Sequence, residues 1–484
     1  MSSGDRTIGL SFRSTVVLIA LYLVPLALAI RPVIDVDIWW HLRQGQWIVE
    51  QGTVPSTDPF SWFGVGRRWI AYHWLFEVLV YGLHAMAGPF GVVAYTVVMC
   101  VAITFALHRL VRRLEPNLFA SSALTVIALV AMAPVLPTPR PWLVNILFLC
   151  LQLTILVDVR RTGDPRALIA LPPLFAVWAN VNIQFVYGLF VLGAATLEPL
   201  LDRMRGRPDT GERLALRPLL IAFAVCVMAT VVGPYHVKIY IPVIDAIRLT
   251  APFQYLQELQ APRFREPFNF LALGLLLGAV FLAGRRRSPS VFLMVLLGTG
   301  TAVFFRAARD VWVCVIVSVV VIAAYRPWSL PATAVRFGAI RLGAVVAVVL
   351  ASSIVLGVTR LSGGRLDEVV TARFPAGAAA FVEREGYQGQ LYNDYDWGGY
   401  LIWRLPGIPV GLDGRNPLHG DERILRSVAT WGGRPGWDTD PELAASRLVI
   451  GGARTPLVAL LRFDPRFRLV YEDDVAAVFV RRDP

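Results

Sequence analysis

Residues 72–87 read YHWLFEVLVYGLHAMA, and the interpretation of this stretch decides the topology of the whole chain. The stretch is apolar and close to the length of about 20 residues that a helix needs to cross a membrane. If it crossed, Arg109, Arg112 and Arg113 would lie outside the cytoplasm, although arginine-rich short loops normally stay inside. Its aromatic, histidine and glutamate residues suit a membrane surface. We therefore predict an interfacial helix that does not span the membrane.

The composition of the chain indicates an α-helical polytopic membrane protein. Of the 484 residues, 56% are hydrophobic and only 17% are charged, whereas a soluble protein carries about 25% charged residues. This balance excludes an ordinary soluble enzyme. Eleven further stretches are apolar enough to form membrane-spanning helices. They are residues 14–31, 90–108, 118–135, 141–158, 167–182, 184–201, 216–233, 267–283, 289–305, 311–325 and 337–357.

The distribution of arginine predicts the orientation of these spans. With the N-terminus in the cytoplasm, every cytoplasmic loop is arginine-rich, as the positive-inside rule expects. These loops hold Arg109, Arg112, Arg113, Arg160, Arg161, Arg166, Arg203, Arg205, Arg207, Arg213, Arg285, Arg286, Arg287, Arg326 and Arg336. An odd number of spans then places the C-terminal residues outside the cytoplasm. The net charge of +12 comes from such clusters, and no nucleic-acid-binding motif accompanies it, so nucleic acid is not an expected partner.

The chain is predicted to have two domains. Residues 1–359 form the transmembrane module, with residues 31–89 as its first outer loop, and residues 360–484 form a small extracytoplasmic α/β domain. In that C-terminal part, strand-like and helical patterns alternate. The strand-like runs are residues 390–393, 408–412, 447–450 and 475–480, and the helical runs are residues 376–385 and 421–430.

The first outer loop holds the main candidate site. Residues 35–47 read DVDIWWHLRQGQW and predict a helix that begins near Val36. Such a helix places Asp37, His41 and Gln44 on one face, at positions i, i+4 and i+7. Asp35 suits the N-cap of this helix. Asp37 is harder to explain structurally, because an acid beside a tryptophan-rich membrane surface costs desolvation energy.

The interfacial stretch repeats this pattern of polar residues on an apolar helix. His73 and Glu77 lie at i and i+4, which predicts a polar stripe that faces either solvent or a site. Together with Asp37 and His41, these residues offer carboxylate and imidazole ligands for a divalent metal ion. The spacing is not diagnostic of a metal site, so no metal is predicted, and a divalent ion bound by these four residues is the alternative.

Cationic side chains recur at the outer ends of the spans, where the positive-inside rule does not place them. They are Arg140, His236, Lys238, Arg306 and Arg309. Binding of an anionic group such as a phosphate explains such a set, although each residue alone suits an ion pair or a contact with the membrane surface. In the tight hairpin after the fifth span, Asn180 and Asn182 suit either sugar hydroxyls or the broken backbone, and we favour the backbone.

Several motifs together resemble a bacterial branch of the GT-C membrane glycosyltransferases. They are residues 35–47, the TDPFS turn at 57–61, the HWL run at 73–75, the WGGYL run at 397–401 and the LDGR run at 412–415. The resemblance covers essentially the whole chain, with its specific motifs at the two ends. It implies two helices along the membrane in the first outer loop, an acidic catalytic residue there, and a sugar donor linked to polyprenyl phosphate.

Carried onto this chain, the resemblance makes Asp37, or else Asp35, the catalytic acid. Many relatives of known activity carry adjacent acids here, whereas Val36 separates them in this sequence. The implied function is inverting transfer of a sugar to a hydroxyl of a glycan, lipid or protein, at the outer face of the bacterial cytoplasmic (inner) membrane. His41 and His73 would orient the base or the phosphate. The alternatives are a flippase or transporter of a lipid-linked sugar and a non-catalytic scaffold for envelope glycan assembly.

Overall fold

The structure is a computed structural model that describes residues 3–204, 216–332 and 339–482. The predicted cytoplasmic arginines Arg205, Arg207, Arg213 and Arg336 lie outside the described residues. The chain forms two compact units. The first unit comprises Met1–Arg31, Val93–Val237 and Gln257–Leu361, and the second comprises Pro32–Val92, Lys238–Leu256 and Ser362–Pro484.

The described residues are mainly helical. The α-helices are α1 (Ser3–Ala29), α2 (Ile38–Gln51), α3 (Trp74–Ala87), α4 (Pro89–Leu114), α5 (Leu118–Ala131), α6 (Trp142–Thr162), α7 (Leu171–Val181), α8 (Phe185–Ala195), α9 (Leu197–Met204), α10 (Leu216–Thr230), α11 (Tyr240–Arg248), α12 (Ala251–Tyr255), α13 (Pro267–Gly284), α14 (Val291–Arg306), α15 (Val311–Tyr325), α16 (Ala339–Arg360), α17 (Gly363–Arg373), α18 (Ala376–Arg384), α19 (Gly398–Arg404), α20 (Asn416–Trp431), α21 (Pro441–Ala445) and α22 (Pro456–Leu461). The strands are β1 (Leu391–Asn393), β2 (Leu448–Gly452), β3 (Phe467–Glu472) and β4 (Ala476–Arg481).

Among the described residues, twelve apolar helices are candidates for crossing or lying on a membrane. Five have the length and hydropathy of a membrane span: Pro89–Leu114, Trp142–Thr162, Pro267–Gly284, Ala308–Tyr325 and Gly343–Arg360. Seven shorter ones run over Arg13–Ala29, Trp74–Ala87, Leu118–Ala131, Pro165–Val181, Phe185–Leu201, Leu216–Thr230 and Val291–Arg306. Except for Trp74–Ala87, each falls on one of the eleven predicted spans. The helix positions therefore follow the prediction, and the number of crossings stays a prediction.

Local signals set the ends of several of these helices. The Asn117 side chain accepts a hydrogen bond from Ala120 N at the start of α5, and Ser290 accepts one from Leu293 N at the start of α14. Both are side chains that prefer the N-cap position. At the other end of α6, Gly163 has a φ of 71°, which glycine adopts without strain.

The second unit contains a four-stranded sheet in the order β1-β2-β4-β3. β1 and β2 are parallel, and the other two pairs are antiparallel. Three of the four predicted strand runs overlap β1, β2 and β4. The fourth, residues 408–412, is no strand but contributes bridges from Val410 to Leu391 and Ser61. β3 was not predicted, although its sequence FRLVYE alternates apolar and polar residues.

The first outer loop packs within the same unit as the C-terminal residues. The predicted division assigned residues 31–89 to the transmembrane module, so the compact units group the chain differently. Within this loop, α2 begins two residues later than predicted, at Ile38, and packs against α3. The two helices approach closely at Gly45, because a β-carbon there would overlap the carbonyl oxygen of Glu77.

The guanidinium of Arg415 joins the first outer loop to the C-terminal residues. It is fully buried, with Nη1 2.5 Å from Asp58 Oδ1 and with Nε and Nη2 2.8 and 2.7 Å from the two oxygens of Asp413. It also stacks over the rings of Phe60 and Trp69, each 5.2 Å from the ring centroid. Asp58 in turn accepts hydrogen bonds from Phe60 N and Ser61 N, so the loop and the ion pair depend on each other.

A second buried arginine supports the same junction. Arg423, on α20, donates two hydrogen bonds of 2.8 Å to Glu442 and one of 2.9 Å to the carbonyl oxygen of Gly411. Its guanidinium carbon lies 3.7 Å from the ring centroid of Phe63, in the first outer loop. Two cations therefore hold aromatic residues of the loop against α20.

Replacing Arg415 with methionine is expected to destabilise the second unit by about 3–5 kcal/mol, because it leaves Asp58 and Asp413 buried without their cation. The matched control is Arg404→Met, which removes an exposed arginine that lies 4.0 Å from Glu383. The control should change the free energy of unfolding by less than about 0.5 kcal/mol. Chemical unfolding of the purified chain measures both. Equal stability of the two variants would contradict the structural role of Arg415.

Candidate functional site

The N-terminus of α2 distinguishes the two acids of the first outer loop. Asp35 Oδ1 accepts hydrogen bonds from Asp37 N and Ile38 N, both at 3.0 Å. Asp35 therefore organises the turn that starts α2, but the predicted N-cap position belongs to Asp37 and not to Asp35, because α2 begins at Ile38. Asp37 stands at the N-cap position, but its side chain makes no capping hydrogen bond. Its carboxylate lies instead against Gly414, where a β-carbon would overlap Asp37 Oδ1.

Glycines of the C-terminal motifs allow this close approach. A β-carbon at Gly399 would lie 2.8 Å from the carbonyl oxygen of Val36, just before Asp37. A β-carbon at Gly398 would overlap the carbonyl oxygen of Leu412. The WGGYL and LDGR motifs therefore need glycine at these positions, because a residue without a β-carbon lets backbone segments from distant parts of the sequence meet at the start of α2.

Tyr395 completes the surroundings of Asp37. Its hydroxyl donates a 2.8 Å hydrogen bond to Asn416 Oδ1. Burial, and then the negative charge of Asp37, raise the pKa of Tyr395 well above its ordinary value. The phenol is therefore neutral at physiological pH and remains a hydrogen-bond donor. Neither Tyr395 nor Asn416 was predicted as a site residue, because only contacts in the folded chain bring Tyr395 near Asp37 and Asn416 onto Tyr395.

The predicted metal ligands come together in part. The Nδ1 of His41 lies 3.1 Å from Glu77 Oε1, and the rings of His41 and His73 are 5.1 Å apart. One ligand atom from each of these three residues lies within 4.8 Å of the others. Asp37, the fourth residue of the predicted set, does not belong to this group among the described residues.

This cluster is buried, so the alternative of a solvent-facing stripe is wrong. His41 is 1% exposed and Glu77 0%. Burial raises the pKa of Glu77 well above its usual range, while the positive charge of Arg415 lowers it in part. Gln44, the third member of the predicted α2 face, is also buried and accepts a 3.1 Å hydrogen bond from Trp69 Nε1.

The predicted phosphate-binding cations have different environments. Arg140 is buried and stacks on Trp142, with its guanidinium carbon 5.1 Å from the ring centroid. Arg309 pairs with Glu258 at 3.2 Å, which matches the ion-pair alternative. The side chains of His236, Lys238 and Arg306 are exposed. Lys238 belongs to the second unit and the other four cations to the first, so no single unit contains the whole set.

The hairpin amides serve the backbone. Asn180 donates to the carbonyl oxygens of Ala176 and Val232, at 2.8 and 2.7 Å. Asn182 accepts from Gln184 N at 3.0 Å, which closes the turn between α7 and α8. These contacts agree with the structural use that the sequence analysis favoured.

A buried chain of polar side chains in the first unit was missed. Gln184 Nε2 donates a 3.0 Å hydrogen bond to Asp310 Oδ1, and the Tyr187 hydroxyl donates a 3.2 Å bond to Asp310 Oδ2. Asn145 donates to Gln184 Oε1 and accepts a 2.7 Å bond from Trp178 Nε1. The available signal was an acid at the start of an apolar segment, because such acids are rare unless they are paired or functional.

Sequence comparisons do not identify the chain. No protein-family model matches it, and no curated protein matches it in sequence. Solved structures do match. The arabinofuranosyltransferase AftD from Mycobacteria aligns with 100% of this chain at a TM-score of 0.50 and 15% identity, and the alignment covers 40% of AftD. The oligosaccharyltransferase AglB from Archaeoglobus fulgidus, solved with an inhibitory peptide and a dolichol-phosphate, aligns with 91% of this chain at a TM-score of 0.52 and 10% identity, and the alignment covers 69% of AglB.

Both structures are glycosyltransferases of the GT-C type, so the chain has the GT-C fold. Five of its described helices have the length and hydropathy of membrane spans, which agrees with that fold. The resemblance inferred from the sequence motifs is confirmed at the level of fold. At identities of 10% and 15%, the likeness concerns the fold alone. The chain also spans less than half of the length of AftD.

Asp394→Asn is expected to remove a pH dependence of stability. Burial, followed by the charge of Asp396, raises the pKa of Asp394 to about 6. In the unfolded chain this pKa is about 3.9, so the fold loses stability as pH rises between these values and the loss is complete above pH 6. Asparagine retains the acceptor for Asp396 N but does not titrate.

Between pH 4 and pH 7, the free energy of unfolding of the wild type should therefore fall by about 1–2 kcal/mol relative to that of Asp394→Asn. This figure is smaller than the pKa shift alone implies, because solvent screening weakens the effect. Unfolding of both proteins across this pH range measures the difference. If the difference in unfolding free energy between the two proteins does not change with pH, the raised pKa of Asp394 is refuted.

Proposed function

From the GT-C fold and the geometry around Asp37, we propose that the protein transfers a sugar from a polyprenyl-phosphate donor to an acceptor hydroxyl. The acceptor belongs to a glycan, lipid or protein at the outer face of the cytoplasmic membrane. The N-terminus lies in the cytoplasm and the C-terminal residues lie outside. The bound dolichol-phosphate in the AglB structure supports this class of donor, since AglB shares the fold.

The observation that carries the proposal is the different use of the two acids at the start of α2. Asp35 receives two backbone hydrogen bonds and shapes the turn. Asp37 makes no capping hydrogen bond, and Gly414 leaves room for its carboxylate beside Tyr395. An acid that local structure does not use for capping, held in place by distant motifs, suits a general base.

In the proposed reaction, Asp37 accepts the proton of the acceptor hydroxyl. The hydroxyl oxygen forms a bond to the anomeric carbon of the sugar from the side opposite the phosphate. The bond between that carbon and the phosphate oxygen breaks, and polyprenyl phosphate leaves with the electron pair. The anomeric configuration is therefore inverted. A positioned base contributes about 10²- to 10⁴-fold to such a reaction.

The leaving phosphate needs positive charge rather than a proton. For this role we propose Arg140, His236, Lys238, Arg306 and Arg309. Arg309 would exchange its contact with Glu258 for the phosphate, at a cost that the doubly charged anion offsets. Asn180 and Asn182 keep their backbone contacts in this proposal and have a supporting role only.

Asp37→Asn is expected to lower the transfer rate at least about 10²-fold without loss of folding, because asparagine has the same shape and cannot accept the proton. The measurement is turnover of radiolabelled polyprenyl-phosphate sugars by the full chain in nanodiscs. The matched control is Asp35→Asn, which retains the Oδ1 acceptor for Asp37 N and Ile38 N and should keep most of the activity. If only the control loses activity, Asp35 is the base.

Gly414→Ala is expected to lower transfer by about tenfold or more, since the added β-carbon must displace the Asp37 carboxylate. Gly407→Ala is the control, because a β-carbon at Gly407 meets no atom within 4 Å. The thermal unfolding of both variants separates loss of position from loss of fold. Full activity of Gly414→Ala would show that the close approach to Asp37 does not matter for transfer.

The same assays address the alternatives. A flippase or transporter would move the lipid-linked sugar across the bilayer and form no glycosylated product, and Asp37→Asn would leave this movement unchanged. A scaffold would neither move the lipid-linked sugar nor form a glycosylated product. Truncation after Thr359 does not distinguish a scaffold from an enzyme, because it removes Arg415 and leaves Asp58 of the first outer loop without its buried cation.

A further inference from the structure

Three potential metal ligands meet between α2 and the start of α3. His73 and Glu77 are one helical turn apart, with Glu77 N donating a 2.9 Å hydrogen bond to the carbonyl oxygen of His73. His41 comes from α2, with its Nδ1 3.1 Å from Glu77 Oε1. One nitrogen or oxygen atom from each of the three lies within 4.8 Å of the other two. This is the only such group of three or more ligands among the described residues.

The separations fit a small divalent ion. Zinc binds imidazole nitrogen and carboxylate oxygen at about 2.0–2.2 Å, so two ligands of a tetrahedral site lie about 3.3 Å apart. The contact between His41 and Glu77 already has this spacing. The third ligand, His73, needs to approach by no more than about 1.5 Å.

Glu77 provides an independent sign of a missing ligand. Its carboxylate is 0% exposed, and its Oε2 atom has no hydrogen-bond partner among the residues that the structure describes. A buried carboxylate oxygen without a partner costs free energy, and coordination of a cation removes this cost. The first carboxylate oxygen, Oε1, is the one that faces His41.

The packing around His41 would hold such a site in shape. The ring of Trp40 lies against the His41 imidazole, with centroids 3.6 Å apart, and the ring of Phe76 meets it edge-on at 5.0 Å. Ligand rings that cannot rotate freely lower the entropy lost on metal binding.

We propose that His41, His73 and Glu77 bind one divalent transition-metal ion, with zinc as the best match to two imidazoles and a carboxylate. Three protein ligands leave one coordination position for another donor, as in catalytic rather than purely structural zinc sites. The ion links α2 to α3 and thereby fixes the helix that begins after Asp37. This inference does not rest on the proposed glycosyl transfer, since metal binding is measured without turnover.

The test is the metal content of the full chain, purified in detergent without chelator and with an affinity tag that lacks histidine. Elemental analysis should find about one equivalent of metal per chain. Chelator-treated protein should take up one Co²⁺ with the visible absorption of a tetrahedral site, and Zn²⁺ should displace it and raise Tm by about 3 °C. These readouts use the wild-type protein, so they do not depend on the folding of a variant.

Glu77→Gln and His73→Gln should each lower the metal content to about one tenth of an equivalent or less. The control is His84→Gln on the same helix, because the His84 ring packs against Trp403 rather than in the cluster. The control should retain its metal. The proposal is overturned if the wild type contains no metal and binds neither Co²⁺ nor Zn²⁺, or if both variants keep a full equivalent.

Discussion

The buried contact of Arg415 with Asp58 and Asp413 is the constraint on which the second unit depends. Asp58 and Arg415 are 357 residues apart in sequence, and neither side chain is exposed. Burying a guanidinium is costly unless its donors are fully paired, and here the geometry is bidentate toward Asp413 and direct toward Asp58. Residues from the two ends of the chain must therefore fold together.

This pairing has consequences for the candidate site. The LDGR run supplies Asp413 and Arg415 to the ion cluster and, between them, Gly414 to the surface that meets Asp37. Asp413 and Arg415, which hold the first outer loop in place, are thus the sequence neighbours of Gly414, which sets the position of the Asp37 carboxylate. The same guanidinium also acts on Glu77, whose pKa it lowers against the effect of burial. One cation therefore acts on the proposed metal site and directly follows in sequence the glycine that meets the proposed base.

Much of the fold was predictable from local patterns. Eleven apolar stretches coincide with helices, and residues 72–87 contain the shorter helix α3, because runs of apolar residues and their arginine flanks are local properties of the sequence. β3 was missed although its alternation is visible, and residues 408–412 form bridges rather than a strand because they lie at the sheet edge next to β1. For the site, spacing on α2 and α3 identified His41 and Glu77, whereas Tyr395 and Asp310 depended on contacts between distant segments.

By itself, the sequence determined that the chain is a helical membrane protein with GT-C character, that α2 starts at an acidic turn, and that Asp37 and Asp35 are its candidate acids. Only the tertiary structure showed that Asp35 accepts the backbone hydrogen bonds at the start of α2 and that the Asp37 carboxylate lies against Gly414, because these contacts are properties of atoms close in space. It also decided that the histidine and glutamate stripe is buried and that the first outer loop packs with the C-terminal residues. Helical periodicity shows which residues share a face. It does not show what that face meets, since the partner comes from elsewhere in the chain.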